Sequence, residues 1–114
     1  MMLLSMILAL SPPDPVTVAN EADIRCMAIL SAAANTAPAE QRGGVIGGVM
    51  FFYGRVVGRA PTFDIEAAML RLVKSHPKGE GFEPDRVRCG SEMQARGAYL
   101  ITMGKHIQEV SAAQ

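Results

Sequence analysis

The chain has 114 residues, with 11 basic against 11 acidic side chains, 49% hydrophobic and 5% aromatic residues. That leaves room for one domain. The balanced charge removes the basic stripe on which nucleic-acid binding relies, and the apolar fraction is too high for a solvated tail, so neither role is expected.

The first ten residues, Met1 to Leu10, carry no charge and no polar side chain except Ser5. A run of this length is half of what a helix needs to cross a bilayer, and Ser11-Pro12-Pro13-Asp14-Pro15 interrupts it at once. It reads as the apolar region of a signal peptide. Thr17 and Ala19 are the small residues suited to a cut after Ala19, so residues 1–19 are expected to be a leader and 20–114 one helical domain, periplasmic or secreted. No basic residue precedes the apolar run. The alternative is a cytoplasmic chain whose first residues form a hydrophobic terminal element.

Export sets the meaning of the two cysteines. In an oxidising compartment Cys26 and Cys89 should pair and close a long loop, whereas in the cytosol both remain thiols. With His76 and His106 they form no metal-finger spacing, so no metal and no cofactor are expected.

The predicted fold is all-α: a compact bundle of four helices, about 21–35, 39–59, 63–75 and 84–110, joined by one disulfide. Pro38, Pro61, Pro77 and Pro84 separate the segments, and each segment has helical rather than alternating periodicity. In the first, Asn20 suits the N-cap with Asp23 three residues on, and Cys26, Ile29, Leu30 and Ala33 form the buried face. In the third, Thr62 suits the N-cap, Asp64 and Glu66 stand near the start, and Arg71, Lys74 and His76 stand near the end, matching the helix dipole. Pro84 suits the first turn of the last helix.

The second segment is unusual because it holds six glycines, each costing about 1 kcal/mol relative to alanine in a helix interior. Gly43, Gly47, Gly54 and Gly58 fall on one stripe beside Ile46, Met50, Tyr53 and Val57. In the last segment Gly90, Gly97 and Gly104 recur every seventh residue beside Cys89, Met93, Leu100, Met103 and Ile107. The two glycine stripes are expected to face each other in close helix packing. A membrane or homodimer role for them is the alternative, although Arg42 and Arg55 bracket a span too short to cross a bilayer.

Arg96 projects near the middle of the last helix's apolar face, where an unpaired guanidinium is costly. Glu92, one turn earlier, is its expected partner, with Asp64 as a further acid in a structural ion pair. A structural ion-pair cluster, which Arg55 of the second helix could join, is the expectation, and the alternative is an anion-binding or partner-recognition site formed by Arg55, Arg59 and Arg96. No nucleophile, base and acid can be assembled into a catalytic set, and the glycines lack the Lys-Ser/Thr ending of a phosphate loop.

The motifs Phe52-Tyr53-Gly54-Arg55-x-x-Gly58-Arg59-x-Pro61-x-x-Asp64 and Arg88-Cys89-Gly90-x-Glu92-x-x-x-Arg96-Gly97 resemble those of a group of small exported helical proteins from alphaproteobacteria. That resemblance covers most of residues 22–107 and implies export. The plan of a cysteine in an early helix, a glycine-bearing central helix and a second cysteine opening a late helix is similar to the HdeA-type periplasmic acid-stress chaperones. The Rap/Tai immunity proteins of type VI secretion are similar in small size, export and a disulfide-linked helical fold. Together these imply a non-enzymatic exported binding or stress-related protein, with a protein partner or a second copy as its target and no nucleic acid or integral membrane span. A chaperone would expose the Gly/Val/Phe-rich second helix when acid leaves the chain strongly positive. The alternatives are a small-ligand or anion-binding protein or enzyme using the arginine cluster, and an immunity-like inhibitor of a secreted partner.

Overall fold

The computed structural model describes residues 11, 12 and 14–114. Four α-helices, α1 (Pro15–Thr36), α2 (Ala39–Arg59), α3 (Ile65–Ser75) and α4 (Glu83–Ala112), are joined by short loops and one 3-10 turn at Pro77–Gly79. Among the described residues there is no strand, and Cys26 and Cys89 form a disulfide with their Cα atoms 5.6 Å apart. The all-α, four-helix, disulfide-linked expectation is met. The apolar run of the expected leader lies outside the described residues.

The first helix starts earlier than the capping pattern implied. Asp14 is its N-cap and accepts the Val16 N–H, while Pro15 occupies the first turn, where its missing N–H costs nothing. Asn20, expected at the cap, is instead buried within α1, and the expected cut after Ala19 falls inside this helix. At α3 the cap is Asp64 rather than Thr62, its carboxylate accepting the Ala67 N–H at 3.0 Å.

The core is small. Ile24, Cys26 and Met27 of α1 meet Phe52 and Val56 of α2 and Cys89 of α4, with Ile65, Ala68, Met69 and Leu72 of α3 and Met93 of α4 packed around them. The α2 and α3 sets recur at three- or four-residue spacing, so each of those helices lends one stripe. Between α3 and α4 the chain turns through left-handed backbone at Lys78 (φ 58°), Gly79 (φ 74°) and Gly81 (φ 89°). Glycine suits two of those positions sterically, and at Gly81 a Cβ would also come within 3.2 Å of the His76 ring. This reversal returns α4 to α1, and the disulfide secures it there. Closing so long a loop stabilises the fold by about 4 kcal/mol on the chain-entropy account.

The expected meeting of glycine stripes does not occur. A Cβ built at Gly43, Gly47, Gly54, Gly58, Gly90, Gly97 or Gly104 would meet nothing within 4 Å. The close approach is at Gly48 instead, where a Cβ would lie 2.5 Å from Met93 Cε and 3.1 Å from Leu30 Cδ1. The reason lies in which face of α2 points inward. The core takes the stripe of Gly48, Phe52 and Val56, which turns the other glycines outward.

Beyond Met93 the last helix leaves the core. From Gln94 to Gln114 every residue is exposed except the half-buried Gly97 and Gly104. No helix among the described residues is long and apolar enough to cross a membrane.

Because Gly54 opens to solvent inside a helix, Gly54→Ala is expected to raise stability by about 0.5–1 kcal/mol through reduced backbone freedom of the unfolded chain. Urea denaturation followed by circular dichroism measures it. A loss of stability would mean that this face of α2 is occupied.

Candidate functional site

The chemistry of the chain gathers around one turn of α1. Asp23, fully buried, lies on the same face as Cys26 and Met27 and points at α2. There Arg55 and Arg59, one helical turn apart, converge on the same carboxylate oxygen. Arg55 Nε lies 3.1 Å and Arg59 Nη1 2.7 Å from Asp23 Oδ2. Arg59 Nη1 also donates to the Asn20 side-chain oxygen at 3.2 Å. The other oxygen, Asp23 Oδ1, is buried and accepts no hydrogen bond among the described residues.

The cluster extends to α4. Arg55 Nη1 donates to Glu92 at 3.3 Å, and the Arg55 guanidinium lies 5.2 Å from the Phe51 ring centroid and 5.7 Å from that of Phe52. Such stacking on ring faces favours a cation. On the neighbouring side of α1, Arg25 Nε donates to Asp85 at 2.7 Å, and Arg88 donates to Asp85 and to the Ala22 carbonyl. Burial pushes the Asp85 carboxyl up, but hydrogen bonds from Arg25 and Arg88 and the attraction of both cations outweigh it. Its pKa therefore lies below the ordinary 3.8.

Arg55, Arg59 and Arg96, named as an anion or partner site, do come together. They line one depression of about 630 Å³ with Phe51, Glu92 and Ala95. The expected ion pair of Arg96 with Glu92 and Asp64 is not formed. Glu92 is claimed by Arg55 and Arg88 from its other side, and Asp64 is held at the start of α3 as its cap. Arg96 itself is exposed, because α4 has already left the core at that level, and among the described residues no carboxylate lies within ion-pair distance of it. The desolvation that demanded a partner is absent.

Asp23 was missed as the arginines' partner because Asn20-x-x-Asp23 resembled a helix start. The signal was its place in the apolar stripe beside Cys26 and Met27, where a carboxylate needs cations. Arg55 and Arg59, four apart, supply them. In chemical terms the depression offers guanidinium donors, one unpaired cation and an aromatic wall, a combination suited to holding an anion. Compared with known proteins, the chain matches no family model, no curated protein and no solved structure.

Removing the buried carboxylate leaves two guanidiniums facing each other, so Asp23→Ala is expected to cost about 3 kcal/mol, the lower end for a broken buried pair because both arginines keep contact with water. Equilibrium unfolding in urea checks this; a change under about 1 kcal/mol would mean that the cluster contributes little. Asp85 has a lowered folded pKa, so its contribution is complete above the unfolded aspartate value of about 3.9 and fades as pH falls through the folded one. The stability gap between the native chain and Asp85→Asn should thus be widest near neutrality and narrow progressively below about pH 4. A gap that is constant down to about pH 2 would contradict the assignment.

Proposed function

We propose that the protein is a non-enzymatic binding protein of the periplasm or extracellular space, and that its arginine-rimmed depression receives a carboxylate from a polypeptide partner. The observation carrying this reading is Arg96, exposed and without an acid, on the rim of the depression that Arg55 and Arg59 also line. Asp23 and Glu92 neutralise much of the charge of Arg55 and Arg59, but two hydrogen-bonded contacts use only part of the five N–H donors that each guanidinium has. An incoming carboxylate meets Arg96 as the principal charge, with Arg55 and Arg59 offering further donors and Phe51 packing on its apolar stem. The immunity-like role is a special case in which the acid belongs to a secreted partner.

The Cys26–Cys89 bond supports an oxidising compartment. Intact mass of the protein from its native host, with and without reductant, tests location: loss of residues 1–19 and of two hydrogens is expected. An uncut chain with free thiols would overturn export. A stress-linked role is a second reading, favoured by the acid-labile ties of Asp85 to Arg25 and Arg88. Protection of an aggregating client at about pH 2–3 tests that role.

For the binding site, a short Glu-containing peptide titrated into labelled protein should shift backbone resonances around Phe51, Arg55 and Arg96, and its Gln counterpart should not. Arg96→Glu is expected to weaken the acidic peptide at least about tenfold, since an attraction becomes a repulsion. Equal binding of the Glu and Gln peptides would end the proposal.

A further inference from the structure

The part of α4 that leaves the core is not a polar spacer. Leu100 (56% exposed), Met103, Ile107 (59%) and Val110 follow one another at spacings of three and four, and extend the line begun by Cys89 and Met93 in the core. Cys89, Met93, Arg96, Leu100, Met103, Ile107 and Val110 thus occupy alternating d and a positions of unbroken heptads. A free helix of this length is marginal in water, and most helical stability comes from packing an apolar face. The two half-buried glycines, Gly97 and Gly104, both stand at e positions beside the seam, with nothing within 4 Å of where a Cβ would sit.

We propose that this seam pairs with that of a second copy of the chain, antiparallel, in a homodimer built on α4. The pairing does not rest on the arginine depression being a carboxylate site. The occupant is argued from register and length. In an antiparallel pair a faces d, and one alignment sets Leu100 against the partner copy's Val110 and Met103 against its Ile107, with both contacts repeated by symmetry. Every a–d layer between 100 and 110 is then apolar. That same alignment places e beside e, so Gly104 meets its own copy at the two-fold axis and Gly97 meets Ser111. All three are small, which lets the backbones approach closely on that side.

The length of free helix agrees with this arrangement. Gly97–Ala112, the segment beyond the core, spans roughly 24 Å at 1.5 Å per residue, and the alignment uses nearly all of it before the tip reaches the other copy's body at Arg96. The seam is also continuous with the intramolecular packing of Cys89 and Met93. Eight seam side chains, each hiding on the order of 60–100 Å² of apolar surface, plus the glycine backbone give roughly 500–900 Å². That lies below the roughly 1,200 Å² of stable specific interfaces, so a weak, transient dimer with a dissociation constant on the order of 100 µM is expected.

Sedimentation equilibrium of the full chain across about 10–1,000 µM tests the dimer, and a concentration-dependent monomer–dimer equilibrium is the expected result. Ile107→Glu should raise the dissociation constant at least about 100-fold by burying an unpaired charge in a central layer. Ile101→Glu, an equally exposed residue outside the seam, should leave it unchanged. Both sites are solvent-exposed in the single chain, so unchanged circular dichroism will show that the fold is intact. Register is tested by the double variant Gly97→Cys with Ser111→Cys. The two positions lie about 21 Å apart along one helix, so any disulfide between them links two chains. A covalent dimer from the double variant and none from either single variant is expected. A monomer at all concentrations, a dimer indifferent to Ile107→Glu, or linking by a single variant would overturn the proposal.

Discussion

The fold depends on one turn of α1, in which a buried carboxylate and a half-cystine stand three residues apart. Asp23 holds α2 through Arg55 and Arg59, and Cys26 holds α4 through Cys89. Neither link is replaceable by the small apolar core around it. Asp23 has no access to water, so its desolvation must be offset by both guanidiniums, and this need fixes the register of α2 against α1. With that register set, Phe52 and Val56 point inward and Ile46, Met50 and Tyr53 are left at the surface. The covalent link is equally selective, since it permits one level of contact between α1 and α4. Everything C-terminal to Met93, one turn further on, extends into solvent.

The same arrangement explains why the arginine depression exists. Arg55 and Arg59 are recruited to α1 by Asp23, Glu92 reaches Arg55 from α4, and Arg96 lies one turn beyond Glu92 where the core has ended. A structural ion-pair network therefore has an unpaired cation on its open edge. A carboxylate would complete that network, as Asp23 completes its buried side, and the same physical chemistry accounts for both. Asp85, tied to Arg25 and Arg88, repeats the theme on the other flank of α1 and adds an acid-sensitive component to the docking of α4.

Two kinds of surface remain outside the core: the glycine-bearing outer face of α2 and the distal seam of α4. They differ in what they offer a partner. On α2, exposed apolar residues lie on a helix already held by α1, so its stability does not require a further contact. The distal seam of α4 has no such support, and its helix gains from any partner that buries the seam. Glycines that cost helix stability in one chain become useful where two backbones approach.

Much of the architecture was legible from local signals. Helical periodicity, prolines between segments and the Pro84 position located α2, α3 and α4 to within a few residues, because those signals act within a turn or two of the chain. The oxidising compartment expected from the leader paired Cys26 with Cys89, whereas Arg55, Arg59 and Arg96 line one depression without the expected glycine contact, because Asp23 and Glu92 hold Arg55 there. Which stripe of α2 is buried was not legible, since its apolar residues and glycines surround the helix and periodicity alone ranks the faces poorly. The partner of each arginine was hidden for a related reason. A carboxylate is chosen by three-dimensional proximity, so the sequence neighbour of Arg96, Glu92, was taken instead by Arg55 and Arg88. By itself, then, the sequence determined four helices, most of their ends though not the start of α1, and the charges available. Tertiary structure alone decided that Asp23 is the buried counter-ion, that Gly48 is the close contact, and that α4 runs past the core with an apolar seam uncovered. Those outcomes depend on desolvation and packing between segments far apart in the chain, which no local pattern encodes.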